Sequence, residues 1–193
     1  MYLILGLGNP GKEYEHTFHN LGRMTGMKIQ KDARLPEFSL DNKLQGIISQ
    51  GKIKKERVVI ALPETFMNKS GNAVGPLARY YKVKPDHILV IHDDADIRLG
   101  NIKIVKNRNS AGHKGVESVM RALKTEDFIR IRIGTTKSIS QKGRWRERDL
   151  MESVIRKISP SQKPFLAKAI KHATQAALMI ITEGIDKTMS MYN

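Results

Sequence analysis

Residues 2–20 read Tyr-Leu-Ile-Leu-Gly-Leu-Gly-Asn-Pro-Gly-Lys-Glu-Tyr-Glu-His-Thr-Phe-His-Asn. The apolar run Tyr2–Leu7 predicts a buried strand, because a short continuous apolar segment bounded by turn residues is typical of the interior of a sheet. A Gly-Asn-Pro-Gly turn follows, and a polar segment then leads to His19, where the helical spacing of Leu21 and Met24 begins. We therefore expect a strand, a sharp turn and a helix, which is a typical opening unit of an α/β fold.

The remainder of the chain alternates between strand and helix patterns. The apolar runs Gln45–Gly51 and Arg57–Leu62 predict an antiparallel hairpin, and the run Ile88–Ile91 predicts a second buried strand. Asn68 is the predicted N-cap of a helix that reaches about Tyr81. Further strands are predicted over 101–105 and 128–133, a loop over 34–42, and helices over 19–31, 116–123, 149–157 and 161–181.

This alternation favours one α/β domain over residues 1–193, with a twisted, mixed and largely parallel sheet flanked by helices. A chain of 193 residues is long enough for one well-buried core and short for two. In such sheets the working side chains lie where strands end at the carboxyl edge. The predicted ends are Gly8–Asn9, Pro63–Asn68 and His92–Asp93.

The composition excludes several kinds of chemistry. The chain has no cysteine, so it forms no disulfide, no thiolate metal site and no cysteine nucleophile. No apolar run approaches the roughly 20 residues that a membrane-spanning helix needs. Because the first predicted strand begins next to Met1, we expect no targeting peptide and a cytoplasmic protein.

Positive charge is concentrated in one part of the chain. The net charge is +15 and the pI is about 10.1. Residues 97–148 hold 14 Lys and Arg against 4 Asp and Glu, a net charge of +10. Such a field attracts polyanions at long range, and nucleic acid is the commonest partner of this kind. A solvated Lys-rich surface is the alternative, but the uneven distribution favours a binding face.

Gly6, Gly8 and Gly11 have the spacing of the dinucleotide-binding fingerprint after a strand. In that motif the third glycine lies in the first turn of a helix whose amides hold a pyrophosphate. Here the Asn-Pro-Gly sequence predicts a turn, and the helix begins near His19. We therefore interpret the segment as a sharp turn that directs the Asn9 side chain into a cleft.

The segment His92–Asp96, His-Asp-Asp-Ala-Asp, permits three interpretations. Carboxylates and an imidazole are suitable ligands for a divalent ion, but alternation along an extended chain sends Asp93 and Asp94 to opposite sides. A surface loop of unpaired acids is the second interpretation. The third is a pair with His19, because a buried carboxylate orients a neutral imidazole that acts as a base near pH 7.

Two amides follow predicted strand ends. Asn9 and Asn68 can hold a water molecule or donate to a carbonyl oxygen as negative charge grows on it. Phe66 and Met67 directly precede Asn68 and predict an apolar wall beside it. Helix capping is the alternative role for Asn68, and the two roles are compatible.

Three ordered motifs resemble those of the bacterial-type peptidyl-tRNA hydrolases. They are Leu-Gly-Leu-Gly-Asn-Pro-Gly at 5–11 with Thr-x-His-Asn-x-Gly at 17–22, Leu-Pro-x-Thr-Phe-Met-Asn-x-Ser-Gly at 62–71, and Val-Ile-His-Asp-Asp-x-Asp at 90–96. The similarity continues through Ser-Ala-Gly-His at 110–113, Arg-x-Arg-Ile-Gly at 130–134 and Thr-Glu-Gly at 182–184. The resemblance implies that a monomer, without a cofactor or metal, hydrolyses the ester between a peptide and the 3′-terminal ribose of tRNA.

The resemblance also implies roles for individual residues. His19 is the implied base that activates water, and Asp93 is the implied carboxylate that orients it. Substrate binding is implied for Asn9 and Asn68 at the oxyanion, Phe66 and Met67 along the peptide channel, Tyr14 at the tRNA end, and Lys114.

Three positions depart from the family pattern on the substrate-binding side. Phe18 stands where the family usually has an arginine before the histidine. Lys114 replaces an asparagine at a substrate-binding position, and the loop before it is one glycine shorter. Residues 135–137 replace the usual Gly-Ile-Gly-Arg-Pro type of ending. We infer that the chemistry survives with altered affinity or specificity, and that Lys114 contacts a phosphate.

The basic part of the chain is predicted to receive the tRNA acceptor arm, since RNA recognised by shape and phosphate requires distributed Lys and Arg. The predicted contacts are Lys103, Lys106, Arg108, Lys137, Lys142, Arg144 and Arg146. Residues 135–150 are predicted to form a mobile basic lid. The competing hypothesis is a non-catalytic RNA-binding paralogue of the same fold, because fold does not determine function.

Overall fold

The computed structural model describes residues 1–136 and 156–193. The strands are β1 (Tyr2–Gly6), β2 (Ser39–Asp41), β3 (Gly46–Ile53), β4 (Glu56–Pro63), β5 (Ile88–Arg98), β6 (Ile102–Lys106) and β7 (Ile129–Thr136). The helices are α1 (Leu21–Asp32), α2 (Gly71–Tyr80), α3 (Lys114–Leu123), α4 (Lys163–Glu183) and α5 (Ile185–Tyr192). In the described part of the chain, no helix combines the length and the apolarity that crossing a bilayer requires. Apart from Thr135 and Thr136, which end β7, the predicted lid lies outside the described residues, as does nearly all of the helix predicted over 149–157.

The strands form one sheet in the order β2-β3-β4-β1-β5-β7-β6. Strands β4, β1, β5 and β7 are parallel neighbours. Antiparallel strands extend the sheet on both sides, with β3 and β2 beside β4 and with β6 beside β7. The predicted α/β class, the largely parallel sheet and the hairpin are confirmed.

Apolar side chains fill both faces of the sheet. Ile4 and Leu89 pack in the core that α1 and α4 cover, whereas Leu3 and Leu5 pack in the core that α2 and α3 cover. Successive side chains of a strand point to opposite faces. Because both faces of β1 are covered, its sequence is continuously apolar instead of alternating.

Helix α1 reaches the carboxyl edge of the sheet because Gly22 has no side chain. A Cβ atom at this position would overlap the carbonyl oxygens of Ile91 and Leu7. The residues around Gly22 therefore lie directly against the ends of β1 and β5. This close approach brings the turn Phe18–Asn20, which precedes α1, to the edge where the predicted site residues lie.

The strand predicted over Ile88–Ile91 continues through His92 and Asp93 to Arg98. Residues His92–Asp94 pair with β7 after β1 has ended, and this pairing supplies the backbone hydrogen bonds of the extension. Asp93 is buried in this strand, so the interpretation of an exposed acidic loop is wrong.

Two other local predictions differ from the structure. The predicted loop over 34–42 contains the short edge strand β2, which pairs with β3. Asn68 does not cap a helix, since it lies exposed in the 3₁₀ turn Met67–Lys69, and α2 begins at Gly71 after Ser70. The Ser70 hydroxyl donates to the Met67 carbonyl oxygen and helps to set this boundary.

Candidate active site

The structure brings the predicted base and its carboxylate into direct contact. His19 lies in the turn before α1, and Asp93 lies on β5 just beyond the end of the neighbouring β1. His19 Nδ1 is 2.8 Å from Asp93 Oδ2. Because a carboxylate oxygen accepts, Nδ1 carries the proton, and Nε2 of a neutral ring keeps its lone pair. The His19 side chain is 18% exposed and that of Asp93 is 2% exposed, so the base is accessible and its partner is not.

A second imidazole binds the other oxygen of the same carboxylate. His113 Nε2 is 3.0 Å from Asp93 Oδ1, and the two histidine rings lie 5.5 Å apart in an edge contact. Burial raises the pKa of Asp93, but the charges and hydrogen bonds of His19 and His113 outweigh it and hold that pKa far below its usual range. The His113 contact was not predicted, although the residue belongs to a motif that carries the family resemblance.

The residues on either side of Asp93 have separate roles. Asp94 points to the opposite side and binds Arg132, with Nε 2.6 Å from Oδ2, as alternation predicts. His92 is fully buried and its Nδ1 donates to the Asp93 carbonyl oxygen over 2.7 Å. The interpretation of His92–Asp96 as a shared metal site therefore has no support in the geometry.

Three atoms that could ligate a metal ion lie within 4.8 Å of one another, one each from His19, Asp93 and His113. Their separations of 2.8 and 3.0 Å are hydrogen-bond distances. His113 Nδ1 accepts a hydrogen bond from the Val116 amide, so its Nε2 carries the proton and has no lone pair for an ion. The arrangement as built suits proton sharing and not metal ligation.

Asn9 is held so that one donor remains available. Its Oδ1 accepts from the Met67 amide over 2.8 Å. The Asn20 side chain accepts from the Asn9 amide over 2.7 Å and donates to the Asn9 carbonyl oxygen over 3.1 Å. Within residues 1–136 and 156–193 no hydrogen bond involves Asn9 Nδ2, which is therefore a donor with a fixed position. The clamp by Asn20 was not predicted.

An apolar wall lies beside these polar groups. Met67 is buried. Gly115 lies against the Met67 sulfur and the His113 ring, so a side chain at Gly115 would overlap the sulfur. Phe66 is 54% exposed, and Tyr14 contacts it edge to face with ring centroids 6.4 Å apart. Met67, predicted along the peptide channel, thus lies near His113, and Phe66 contacts Tyr14, which is predicted at the tRNA end.

Arg23 joins the two turns that carry Asn9 and Met67. Its Nη1 donates to the Pro63 carbonyl oxygen and its Nη2 to Glu64 Oε1, both over 2.6 Å. The Arg23 stem also lies against Gly8, where a Cβ would overlap it. A nearly buried cation with these partners fixes the end of β4 relative to the end of β1.

Replacing Arg23 with methionine tests this clamp. We expect the free energy of unfolding to fall by about 1–3 kcal/mol, because Pro63 and Glu64 lose a charged donor. We expect kcat/KM to fall by roughly 10- to 100-fold, because Met67 and Asn9 lose their fixed separation. Lys28→Met is the matched control, since Lys28 forms an exposed pair with Asp32 on the same helix and such pairs contribute little. Equal effects of the two substitutions would contradict the assigned role.

The basic residues on β6 and β7 and in the segment that follows β6 differ in their exposure to solvent. Lys103 and Arg108 are exposed, whereas Lys106 pairs with Asp127 over 3.4 Å. Arg130 is 1% exposed and donates to the carbonyl oxygens of Arg108 and Asn109. Burial and the charge of Arg132 lower the pKa of Arg130 to about 10. The alternating arginines of β7 therefore do not form a solvated basic face.

The remaining predicted positions are distributed as follows. Phe18 is buried in the core beside α1, so it takes part in packing and not in substrate contact. Lys114 is the first residue of α3 and follows His113 directly. The predicted contacts Lys137, Lys142, Arg144 and Arg146 lie outside the described residues.

A family model described as Peptidyl-tRNA hydrolase matches residues 3–193. The chain belongs to the peptidyl-tRNA hydrolase family. It is 37% identical over 193 residues to the peptidyl-tRNA hydrolase of Thermoanaerobacter sp. (strain X514), covering 100% of both chains. It is 38% identical over 195 residues to that of Thermodesulfovibrio yellowstonii, covering 100% of this chain and 99% of the relative.

Solved structures agree with this membership of the peptidyl-tRNA hydrolase family. The crystal structure of peptidyl-tRNA hydrolase from Acinetobacter baumannii superposes with a TM-score of 0.91 at 29% identity. The match covers 100% of this chain and 94% of that chain. The family fold implied by the sequence motifs is therefore confirmed over the full length compared.

Proposed function

We propose that this chain hydrolyses the ester that joins a peptide to the 3′-terminal ribose of peptidyl-tRNA. The observation that carries the proposal is the 2.8 Å contact between His19 Nδ1 and Asp93 Oδ2, at the sheet edge of a peptidyl-tRNA hydrolase family member. A base oriented by a buried carboxylate can activate water, and a fixed amide donor can stabilise the negative charge that develops on the ester carbonyl oxygen.

His19 Nε2 removes a proton from water as the water oxygen attacks the ester carbonyl carbon. Asp93 stabilises the imidazolium that forms, and Asn9 Nδ2 donates to the oxygen on which negative charge grows, with Asn68 proposed as a second donor. When the carbon–oxygen bond to the ribose breaks, the imidazolium returns its proton to the leaving oxygen. The products are a peptide with a free carboxylate and tRNA with a free terminal hydroxyl group.

Substrate binding divides between an apolar and a basic part. Phe66 and Met67 offer apolar surface for the peptide, and Tyr14 extends this surface to the tRNA end. Lys103, Arg108 and Lys114 are exposed cations on the described basic part and are proposed to contact phosphates. Lys106, Lys137, Lys142, Arg144 and Arg146 complete the proposed tRNA-binding set.

Replacing Lys103 with alanine tests the RNA-binding face. We expect weaker tRNA binding and a slope of log K against log salt that is smaller by about 0.7–1, as one phosphate contact is lost. Lys171→Ala, at an exposed position on α4, removes the same charge and should leave the slope unchanged. The measurement is tRNA binding at several salt concentrations, and identical slopes for both variants would remove Lys103 from the face.

The direct test of function is the release of free tRNA from peptidyl-tRNA by catalytic amounts of the wild-type chain. Multiple turnovers support the hydrolase, and turnover that persists in EDTA supports a reaction without a metal. Tight tRNA binding without release would instead support the non-catalytic RNA-binding paralogue. We further propose that the enzyme acts as a monomer in the cytoplasm. Sedimentation measures the oligomeric state.

A further inference from the structure

The Asp93 carboxylate is shared between two imidazoles, of which the proposed reaction uses one. Oδ2 accepts from His19 over 2.8 Å and Oδ1 accepts from His113 over 3.0 Å. The His113 side chain is 9% exposed and that of Asp93 is 2% exposed. The second bond is therefore well shielded from water, where an electrostatic effect is strong.

The proton position on His113 follows from the start of α3. His113 is the N-cap residue, and its Nδ1 accepts from the Val116 amide over 3.2 Å. A ring nitrogen that accepts from an amide carries no proton, so the neutral ring is protonated at Nε2 and donates to Asp93.

Another imidazole faces His113 from the sheet. The His92 ring on β5 lies 4.5 Å from it, centroid to centroid. Burial lowers the pKa of His92 well below its usual range, and the repulsion between charges on the His92 and His113 rings lowers it further, so His92 is uncharged. Arg130 on β7 acts on His92 in the same direction.

Two other carboxylates in the described part of the chain, those of Asp94 and Glu117, have their own partners. Asp94 is committed to Arg132, and Glu117 on α3 accepts from Ser110. Asp93 is the carboxylate that His113 contacts in the described part of the chain, and His19 already binds its other oxygen. Lys114, which follows His113 on α3, is a cation.

We propose that His113 is a positioning residue that limits the basicity of His19 by donating to the carboxylate they share. Each N–H donated to Asp93 draws negative charge away from the opposite oxygen, so Asp93 stabilises a His19 imidazolium less strongly than a carboxylate with one partner would. His19 then stays unprotonated, and able to accept the proton of water, to a lower pH. This inference rests on the proposed role of His19.

Two substitutions separate this effect from the helix cap. In His113→Asn the side-chain oxygen can replace Nδ1 as acceptor for the Val116 amide, but no donor reaches Asp93. In His113→Gln the side-chain amide extends to the position of Nε2 and can restore the donor. We expect the acidic limb of the kcat/KM profile to move up by about 0.5–1 pH unit in His113→Asn, and His113→Gln to return it toward the wild-type position. An acidic limb in the same place in all three proteins, or equal shifts in both variants, would overturn the proposal.

NMR titration of the histidine rings gives a second measurement that needs no activity. We expect His113 of the wild-type protein to show the Nε2-protonated neutral form throughout the pH range in which His19 titrates. Simultaneous protonation of His113 and His19 would overturn the proposal even if His113→Asn did not fold. The midpoint of the His19 titration in the two variants tests the coupling between His113 and His19 directly. A wild-type chain that released no tRNA would overturn the proposed function, but this coupling could still be measured.

Discussion

Replacing His19 with alanine is expected to lower kcat/KM for tRNA release by roughly 10²- to 10⁴-fold, the range of a lost general base. His113 does not substitute for it, because its Nε2 proton is committed to Asp93 and its Nδ1 to the Val116 amide. Binding of tRNA should change little, since His19 is not among the residues proposed to contact the tRNA phosphates. Initial rates of release, measured alongside tRNA affinity, distinguish a lost chemical step from lost binding.

His87→Ala is the matched control for this substitution. His87 also pairs with an aspartate, Asp86, over 2.9 Å, but both side chains are more than 40% exposed and lie before β5. We expect its activity within about twofold of wild type, because exposed pairs contribute little. Similar losses in His87→Ala and His19→Ala would show that the His19 result reflects general damage, and full activity of His19→Ala would exclude His19 as the base.

Replacing Asp93 with asparagine is expected to reduce kcat/KM by roughly 10³- to 10⁴-fold, as in other sites where the partner of a catalytic histidine becomes an amide. Two ring N–H groups bind the native carboxylate, but an amide offers one acceptor and one donor. One imidazole must then lose its bond or change tautomer. If this is His19, its Nε2 becomes protonated and cannot accept the proton of water. Asp86→Asn makes the same chemical change in the exposed pair and should leave activity unchanged.

The same substitution should alter the response of stability to acid. Because the folded-state pKa of Asp93 is lowered, its ionised form contributes stability above pH about 4, the usual range of a carboxyl group. That contribution is lost as the pH falls through the folded-state value. Urea unfolding of Asp93→Asn should therefore depend less on pH below about 4 than unfolding of the wild type. An unchanged pH dependence would mean that the two histidine bonds do not stabilise the fold.

The main elements of the site could be predicted from the sequence for a physical reason. Asn9 and Asp93 follow apolar runs that form neighbouring parallel strands, and the carboxyl ends of such strands meet at one edge. His19 could be placed at the same edge because the helical spacing starts next to it. The alternation that sends Asp93 and Asp94 to opposite sides is likewise a local property of an extended chain.

Other contacts depend on how distant elements pack, which local patterns do not specify. The bond from His113 requires α3 to begin beside the end of β5, and the Arg23–Glu64 pair requires α1 to cross the end of β4. The burial of Arg130 could not be predicted from its charge, because the sequence does not show which face of β7 is covered. The length of β5 depended on pairing with β7, a strand that occurs later in the chain.

The long sequence separations within the site have a consequence for synthesis of the protein. His19 and Asp93 are 74 residues apart, and Asn9 and Met67 are 58 residues apart. A contact between residues far apart in the chain forms only when the long segment between them closes into a loop. Such contacts slow folding. A nascent chain that ends before β5 has no Asp93, so the His19 ring emerges from the ribosome without the partner that orients it. Catalytic competence should thus arise together with the completed central sheet and not with an early folding unit.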